Sequence, residues 1–127
     1  MDSQFLAEIA AEACDDRKAK DIQLIQIEMV SSLTDWIIVA EGLSDVNVRA
    51  IAKSVEENLE EKANRRPLRR EGVNEAKWVL LDYGEIIINV LQGPERKFYN
   101  LEAFWSHGKK HIYCSSNKQR SENGIVQ

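Results

Sequence analysis

Residues 78–90, WVLLDYGEIIINV, are the segment that says most about the architecture of this chain. Both halves are rich in Val, Leu, Ile or Trp and a Tyr-Gly pair separates them, so the pattern predicts a β-hairpin. With Tyr83 and Gly84 as a two-residue loop, Asp82 should lie opposite Glu85 across the turn. Two like charges in that position destabilise a hairpin by about a few tenths of a kcal/mol, so a functional reason for them is worth seeking.

The predicted register divides the hairpin side chains between two faces, because side chains alternate along a strand. One face is wholly aliphatic and suits packing beneath helices: Val79, Leu81, Ile86 and Ile88. The other mixes acids, an amide, an aromatic ring and aliphatic groups: Trp78, Leu80, Asp82, Glu85, Ile87 and Asn89. We expect this second face to be open. Its acids are explained either by solvation of the turn or by an interaction surface with aromatic anchors.

Two helices are predicted upstream of the hairpin from apolar residues at helical spacing. The first follows a cap at Asp2 or Ser3 and carries one apolar stripe: Phe5, Leu6, Ile9, Ala10 and Ala13. The second spans about 45–63 behind a Ser44 cap, with its own stripe: Val48, Ile51, Ala52, Val55 and Leu59. Between the helices, DIQLIQIEM and DWIIVAEG, within residues 21–42, predict two strands.

The remaining segments complete the order of elements. Residues 64–76 contain Pro, Gly and four arginines without periodicity, which predicts a connector that can include a short extended piece. After the hairpin we expect a turn at Gly93 and Pro94 and a short final helix capped by Asn100. The order helix, strand, strand, helix, strand, strand, helix predicts an α/β fold in which helices pack on a mixed β-sheet.

Size and composition are those of a single globular domain. The chain has 127 residues, of which 43% are hydrophobic and 30% charged. We assign residues 1–114 to the domain and expect residues 115–127, which are mostly polar, to form a disordered tail. The 17 basic and 21 acidic residues give a net charge of −4, which disfavours a general phosphate-backbone binder and favours a basic protein partner.

The sequence also bears on cellular location. No apolar run approaches the roughly 20 residues of a membrane helix, and the first residues lack the cationic region of a signal peptide. We therefore expect a cytoplasmic protein that binds no membrane. Cys14 and Cys114 have no framework spacing and are expected to be reduced thiols.

Three other groups of residues have a possible chemical function. Gly42 and Ser44 could hold a phosphate, but no Asp-x-Asp strand follows to bind a metal pair, so a helix cap explains Ser44 better. His107, His111 and Cys114 would share one face of a continued helix as metal ligands, although Gly108 and the polar tail favour a partly ordered segment. The arginine run Arg65, Arg66, Arg69 and Arg70 is either a solvated loop or a peripheral contact to RNA.

Three motifs together resemble the ribosomal silencing factor family, also called RsfS or Iojap. They are TDWIIVAEGLS at residues 34–44, WVLLDYGE at residues 78–85 and RKFYNLEAFW at residues 96–105, within a match over residues 21–105. The resemblance implies a nucleotidyltransferase-like fold without the catalytic residues, a homodimer, and binding to the fourteenth large-subunit ribosomal protein. A factor bound there keeps the small subunit from joining.

On this basis we expect a translation repressor that is not an enzyme and needs neither cofactor nor metal. The expected partner-binding residues are Trp78, Asp82, Tyr83, Glu85, Phe98 and Tyr99, with Trp78 as anchor, the two acids as acceptors and Tyr83 at the hairpin tip. No DNA partner is expected. The alternatives are a nucleotidyltransferase-type enzyme and an RNA-binding factor for large-subunit assembly.

Overall fold

Six β-strands form one sheet in the part of the chain that this computed structural model describes, residues 2–27, 34–105 and 108–114. The elements in chain order are α1 (Ser3–Asp16), β1 (Lys20–Gln26), β2 (Trp36–Gly42), α2 (Asp45–Ala63), β3 (Arg69–Glu71), β4 (Trp78–Asp82), β5 (Ile86–Gln92), α3 (Gly93–Tyr99), α4 (Leu101–Phe104) and β6 (Lys109–Ile112). The strand order is β3-β4-β5-β2-β1-β6. Strands β2 and β5 are parallel and the other neighbours antiparallel, so the predicted mixed α/β fold is confirmed.

Helices α1 and α2 begin where the sequence predicts. The Asp2 carboxylate accepts a hydrogen bond from the Phe5 backbone N–H, and the Ser44 hydroxyl accepts one from the Asn47 N–H at 3.1 Å. Each cap satisfies a backbone donor that has no partner within its helix. The predicted stripe of α2 is buried throughout, whereas Phe5, assigned to the stripe of α1, is 43% exposed.

The two helices cover the aliphatic face of the hairpin, as predicted. All four of its side chains are fully buried in the main core: Val79, Leu81, Ile86 and Ile88. Complete burial of such a side chain contributes about 1.5–3 kcal/mol each to folding. Trp36 also lies in this core, at 5% exposure.

The register of the hairpin differs from the predicted one by two residues. Asp82 pairs with Ile87 and not with Glu85, and the backbone N–H of Tyr83 donates to the carbonyl of Ile86 across a wider turn. The backbone carbonyl of Glu85 is used elsewhere, because it accepts from the N–H of Asp35. A shift of two residues keeps every side chain on its predicted face, so the division into faces was right and the opposed acid pair was wrong. The second face is not open as expected, because Asn89 is buried and Trp78 and Ile87 pack against a second cluster of buried aliphatic residues.

Three further elements differ from the predictions. The expected turn at Gly93 and Pro94 is the first turn of α3, where a proline is tolerated. Asn100 lies between α3 and α4 at φ 48° and makes no side-chain cap. The segment expected to be a partly ordered tail contains β6, which pairs with β1. The short extended piece of the connector 64–76, in contrast, agrees with the prediction and is the edge strand β3. The predicted tail, residues 115–127, lies outside the described residues.

Candidate partner-binding surface

Trp78, at the start of β4, is held in place on the face of the sheet opposite α1 and α2. Its indole N–H donates to the side-chain oxygen of Asn89 at 3.0 Å. Asn89 is 4% exposed and directs its amide at the carbonyl of Ile38, so this anchor is itself buried. The indole is therefore fixed before any partner arrives and remains half-exposed.

Two aromatic side chains from the end of α3 extend this surface. The ring centroids of Trp78 and Tyr99 are 4.8 Å apart, and those of Tyr99 and Phe98 are 5.0 Å apart at 90°. Phe98 is 78% exposed and Tyr99 is 50% exposed. We define the aromatic patch as these three rings together with the two half-buried aliphatic residues on the same side of the hairpin. Its members are Trp78, Leu80, Ile87, Phe98 and Tyr99.

A groove of about 260 Å³ lies beside the patch, between β3 and β4, and is lined by Glu71, Gly72, Trp78 and Leu80. Gly72 permits the close approach of the two strands. Its φ is +81°, and a Cβ there would lie 2.0 Å from the carbonyl oxygen of Trp78. A side chain at this position would push β3 outward and open the groove.

Asp82 borders the patch and is engaged only weakly within the chain. One carboxylate oxygen accepts from the N–H of Gly84 at 2.9 Å, and the other lies 3.7 Å from Arg69. Arg69 also pairs with Glu71 at 3.3 Å, and both side chains of that pair are 59% exposed. Exposed pairs of this kind contribute little to stability, so both acids can exchange Arg69 for a cation on a partner.

Glu85, in contrast, is already committed to Arg65. Its two oxygens lie 2.6 and 3.1 Å from the guanidinium, which also donates to the carbonyl of Tyr83 at 2.8 Å. These hydrogen bonds hold the pKa of the Glu85 carboxyl below its usual value. Glu85, which was predicted to accept a hydrogen bond from a partner cation, thus joins the hairpin turn to the segment after α2 through Arg65.

Tyr83 does not occupy an exposed hairpin tip. It is 1% exposed and packs in the main core, so the predicted position at the tip is wrong. Burial raises the pKa of the phenol, and the hydroxyl has no hydrogen-bond partner among the described residues. The wider turn accounts for the burial of Tyr83. It places this side chain on the helix-covered face of the sheet, in the same core as Leu81 and Ile86.

The remaining members of the arginine run are also paired within the chain. Arg66 contacts Glu60 at 2.8 Å, and Arg70 contacts Glu56 at 2.6 Å. The carboxylates of α2 and the hairpin thus neutralise this segment, which supports its interpretation as a solvated loop. Arg66, with its side chain 76% exposed, is the most accessible cation of the run.

The residues of the two chemical alternatives have structural explanations. Ser44 caps α2, and Gly42 packs so closely that a Cβ would lie 2.6 Å from Val48. His111 lies in β6 with its ring 5.5 Å from that of Trp36, so it belongs to a strand rather than to a continued helix. His107 lies outside the described residues. Within the described ranges, no three His, Cys, Asp or Glu side chains are grouped to hold a metal, and both cysteines are free thiols.

Arg96 is a buried cation beside the aromatic patch that the sequence interpretation missed. Its side chain is 9% exposed and donates to one oxygen of Glu102 through both Nε, at 2.8 Å, and Nη2, at 2.5 Å. A third donor reaches the carbonyl of Lys20 at 3.4 Å. Arg96 thereby ties α3 to α4 and to β1, and so sets the position of the adjacent Phe98 and Tyr99. The six-residue separation from Glu102 matches no helical spacing, so no local pattern signals this pair.

No helix in the described ranges is both long and apolar enough to span a membrane.

The geometry defines a class of protein: a mixed α/β domain with a fixed aromatic patch and acidic neighbours, suited to binding another protein. Comparison with known proteins then identifies the family. A family model described as "Ribosomal silencing factor during starvation" matches residues 1–125, and the chain belongs to this family.

Individual relatives agree with this assignment. Ribosomal silencing factor RsfS of Bacillus subtilis is 37% identical over 105 residues, which cover 83% of this chain and 88% of that protein. The chloroplastic protein Iojap of Arabidopsis thaliana is 31% identical, over 81% of this chain and 42% of its own. A crystal structure of a Chromobacterium violaceum protein superimposes with a TM-score of 0.80 at 34% identity, covering 93% of this chain and 98% of that one.

Proposed function

We propose that this protein represses translation in the cytoplasm by binding the fourteenth ribosomal protein of the large subunit, where its volume prevents the small subunit from joining. The observation that carries the proposal is the aromatic patch on a member of the ribosomal silencing factor family. Mutational analyses of interfaces find most binding energy in a few Trp, Tyr and Arg side chains near the centre. Trp78 and Tyr99 provide two such side chains in contact with each other.

The patch is organised in advance, which favours affinity. Trp78 is fixed by Asn89, and the α3 residues Phe98 and Tyr99 are positioned by the Arg96 contacts. A partner therefore meets side chains that have already lost much of their rotational freedom, and the entropic cost of binding is reduced.

The charges near the patch favour a basic partner surface. Glu71 and Asp82 lie at its border, and in the described residues their ion pairs are with the exposed Arg69. A Lys or Arg of the partner would replace these weak pairs at little cost. We accordingly propose Trp78, Asp82, Phe98 and Tyr99 as direct contacts, with Glu85 acting through the turn and Tyr83 through the core.

Inhibition by this route needs no chemistry, and the roles of Ser44 and Gly42 in capping and packing leave no observation that favours nucleotidyl transfer. A homodimer would enlarge the excluded volume. Contact of the accessible Arg66 with ribosomal RNA is proposed only as a peripheral contribution that added salt should weaken.

Cosedimentation with purified large subunits tests the proposal. Replacing both exposed rings, Phe98→Ala with Tyr99→Ala, should weaken association at least about ten-fold, because each ring lost from the interface removes more than about 1 kcal/mol. Phe5→Ala is the matched control, since Phe5 is an exposed phenylalanine on α1, across the sheet from the patch.

Equal association of the double variant, Phe5→Ala and the unaltered protein would contradict the assignment of the patch. Binding of the isolated fourteenth ribosomal protein should follow the same ranking. Tight binding to protein-free ribosomal RNA, unaffected by the double variant, would instead favour the RNA-binding assembly factor.

A further inference from the structure

A second pair of aromatic rings lies at the end of α4 and shares no residue with the aromatic patch. The ring of Phe104 is 70% exposed and stands edge-on to that of Trp105, with 5.0 Å between the ring centroids and 87° between the ring planes. Trp105 packs against a cluster of buried aliphatic residues that includes Ile25 of β1. Phe104 belongs to neither hydrophobic cluster of the described residues. It therefore presents its ring to solvent beside a neighbour that the sheet supports.

Strand β6 places two lysines beside this pair of rings. Lys110 lies opposite Ile25 in the pairing of β6 with β1, so its side chain leaves the sheet on the face where Trp105 packs. The start of β6 is joined to the end of α4, because the N–H of Gly108 donates to the carbonyl of Trp105 at 2.9 Å. A Cβ at Gly108 would lie 2.7 Å from Ile25, so a side chain there would force the two segments apart. Lys109 precedes Lys110 on the same edge strand.

Neither lysine is neutralised by a described residue of the chain. Lys109 and Lys110 are both exposed, and neither forms an ion pair within the described ranges. Glu102, the acid nearest to them in the sequence, directs its carboxylate at Arg96 and has a side chain only 15% exposed. The exposed Asp35 lies across β1, beyond ion-pairing distance. The two lysines thus differ from the arginine run, whose cations are held by carboxylates of α2 and the hairpin.

We propose that Phe104, Trp105, Lys109 and Lys110 form a surface that binds a single-stranded nucleic acid. A base would stack on the exposed ring of Phe104, and the adjoining phosphates would pair with the two lysines. A free ring beside unneutralised cations is the combination that sequence-tolerant binding of single strands uses. Each nucleotide supplies both partners, a base and a phosphate, whereas an acidic peptide supplies mainly carboxylates. We name these four residues the basic aromatic surface.

This binding should be weak and should depend steeply on salt. For single strands, the logarithm of the binding constant falls by about 0.7 per phosphate contact for each ten-fold rise in salt, so two contacts predict a loss of about 25-fold. The net charge of −4 opposes further contacts, and we expect a dissociation constant on the order of 10–100 µM near physiological salt. The binding itself does not rest on the proposed function. Only the identity of the strand as ribosomal RNA, next to the docked protein, rests on it.

Fluorescence anisotropy of labelled oligouridylate and oligothymidylate, each about ten nucleotides long, tests the proposal with the full chain. Both should bind saturably if base and phosphate alone are recognised, and preference for the uridylate would identify RNA through its 2′-hydroxyl. An oligoglutamate of equal length is the third probe. It should bind at least about five-fold more weakly than either oligonucleotide, because it has no base to stack.

Variants locate the site on the molecule. Phe104→Leu keeps an apolar side chain but removes the ring, and it should weaken oligonucleotide binding at least about five-fold. Phe5→Ala is its control, since Phe5 is an exposed phenylalanine on α1. Melting curves establish that each variant is folded.

Replacing both lysines, Lys109→Gln with Lys110→Gln, should weaken binding at least about ten-fold and remove most of the salt dependence. The same change at two exposed lysines of α2, Lys53→Gln with Lys62→Gln, is the matched control. The double variant of the aromatic patch, Phe98→Ala with Tyr99→Ala, should bind the oligonucleotides normally. A failure of this proposal is thereby distinguished from a failure of the proposed ribosome contact.

Three outcomes would overturn the proposal. The first is the absence of saturable binding by both oligonucleotides at low salt. The second is equal binding of the oligoglutamate, unaffected by Phe104→Leu, which would assign the lysines to an acidic protein. The third is unchanged oligonucleotide binding by the variant at Lys109 and Lys110. If sedimentation velocity then showed self-association of that variant, the lysines would instead serve to keep the edge strand β6 from pairing with other chains.

Discussion

Trp78 combines a side-chain hydrogen bond with a partly buried ring, and the two parts of its side chain have different roles. The indole N–H donates a hydrogen bond to the side-chain oxygen of Asn89. The ring and its neighbour Tyr99 present apolar surface to a partner. Leu81, three residues along the chain, is fully buried beneath the helices. The two residues thus separate binding from folding within one strand.

We predict that Trp78→Ala weakens association with the large subunit by about 2 kcal/mol or more, roughly thirty-fold, because an aromatic anchor is lost. Leu81→Ala should instead lower the free energy of unfolding by about 2–5 kcal/mol through a cavity in the core. Cosedimentation and denaturant unfolding of both variants provide the measurements. A Trp78→Ala protein that unfolds more readily than Leu81→Ala would reverse the roles assigned to the two faces.

The Glu85–Arg65 pair predicts a dependence of stability on pH. Because Arg65 lowers the pKa of Glu85 from its ordinary 4.5, the pair stabilises the fold fully above that value and loses its effect as the pH falls through the lower pKa of the folded state. Both side chains are 30–42% exposed, so solvent screening limits the contribution to about 1 kcal/mol or less. Glu85→Gln should be less stable than the unaltered protein at pH 7, and the difference should vanish in acid. A difference that is constant across this pH range would show that ionisation of Glu85 contributes nothing.

The short helices α3 and α4 have few buried residues of their own. Among the residues of α3, Arg96 is buried, and α4 has none buried. The contacts of Arg96 with Glu102, Glu41 and Lys20 therefore contribute to their placement, beside the packing of Leu101 against buried aliphatic residues of the sheet.

We expect Arg96→Met to lower the free energy of unfolding by about 3 kcal/mol, since it leaves Glu102 and Glu41 without their cation. It should also weaken association with the large subunit, because Phe98 and Tyr99 lose their support. Arg70→Met is the control: Arg70 is 51% exposed in its pair with Glu56, and its loss should cost less than about 1 kcal/mol. Equal melting temperatures for the two variants would contradict the positioning role of Arg96.

Two truncations at the carboxyl end should differ in their effect, because only one of them removes strand β6. It pairs with β1, and His111 and Tyr113 contact the main core from this strand and the residue after it. Ending the chain after Cys114 should leave thermal stability and ribosome association nearly unchanged, because the removed sequence is mostly polar. Ending it after Trp105 should lower the melting temperature clearly, since β1 loses one of its two partner strands. A large loss from the first truncation would assign a role to residues 115–127.

At the scale of the whole molecule, a protein that blocks by volume acts in proportion to occupancy. With binding much tighter than the subunit concentration, inhibition of subunit joining should saturate when the protein equals the large subunits in number. An enzyme that modified the subunits would inhibit far below equivalence. Sedimentation of subunit mixtures across a titration measures this, and complete inhibition at a small fraction of equivalence would contradict steric exclusion.

The local patterns of the sequence were sufficient for several elements. Asp2 and Ser44 cap their helices as predicted, because a cap and its backbone donor lie only three residues apart. The buried stripe of α2 and the aliphatic face of the hairpin follow from periodicities of 3.6 and 2 residues, which are properties of the chain itself. The family resemblance rests on the same segments and is confirmed by the comparisons.

What only the tertiary structure decided involves residues far apart in sequence. The turn was widened by backbone contacts between Glu85 and the start of β2, which moved Tyr83 into the core and separated Asp82 from Glu85. Arg65 reaches Glu85 over 20 positions and Arg96 reaches Lys20 over 76. Periodicity and capping act over one or two turns and cannot specify such pairs. The sequence by itself therefore determined which faces are apolar, and long-range packing decided which polar groups are already satisfied and which remain available to a partner.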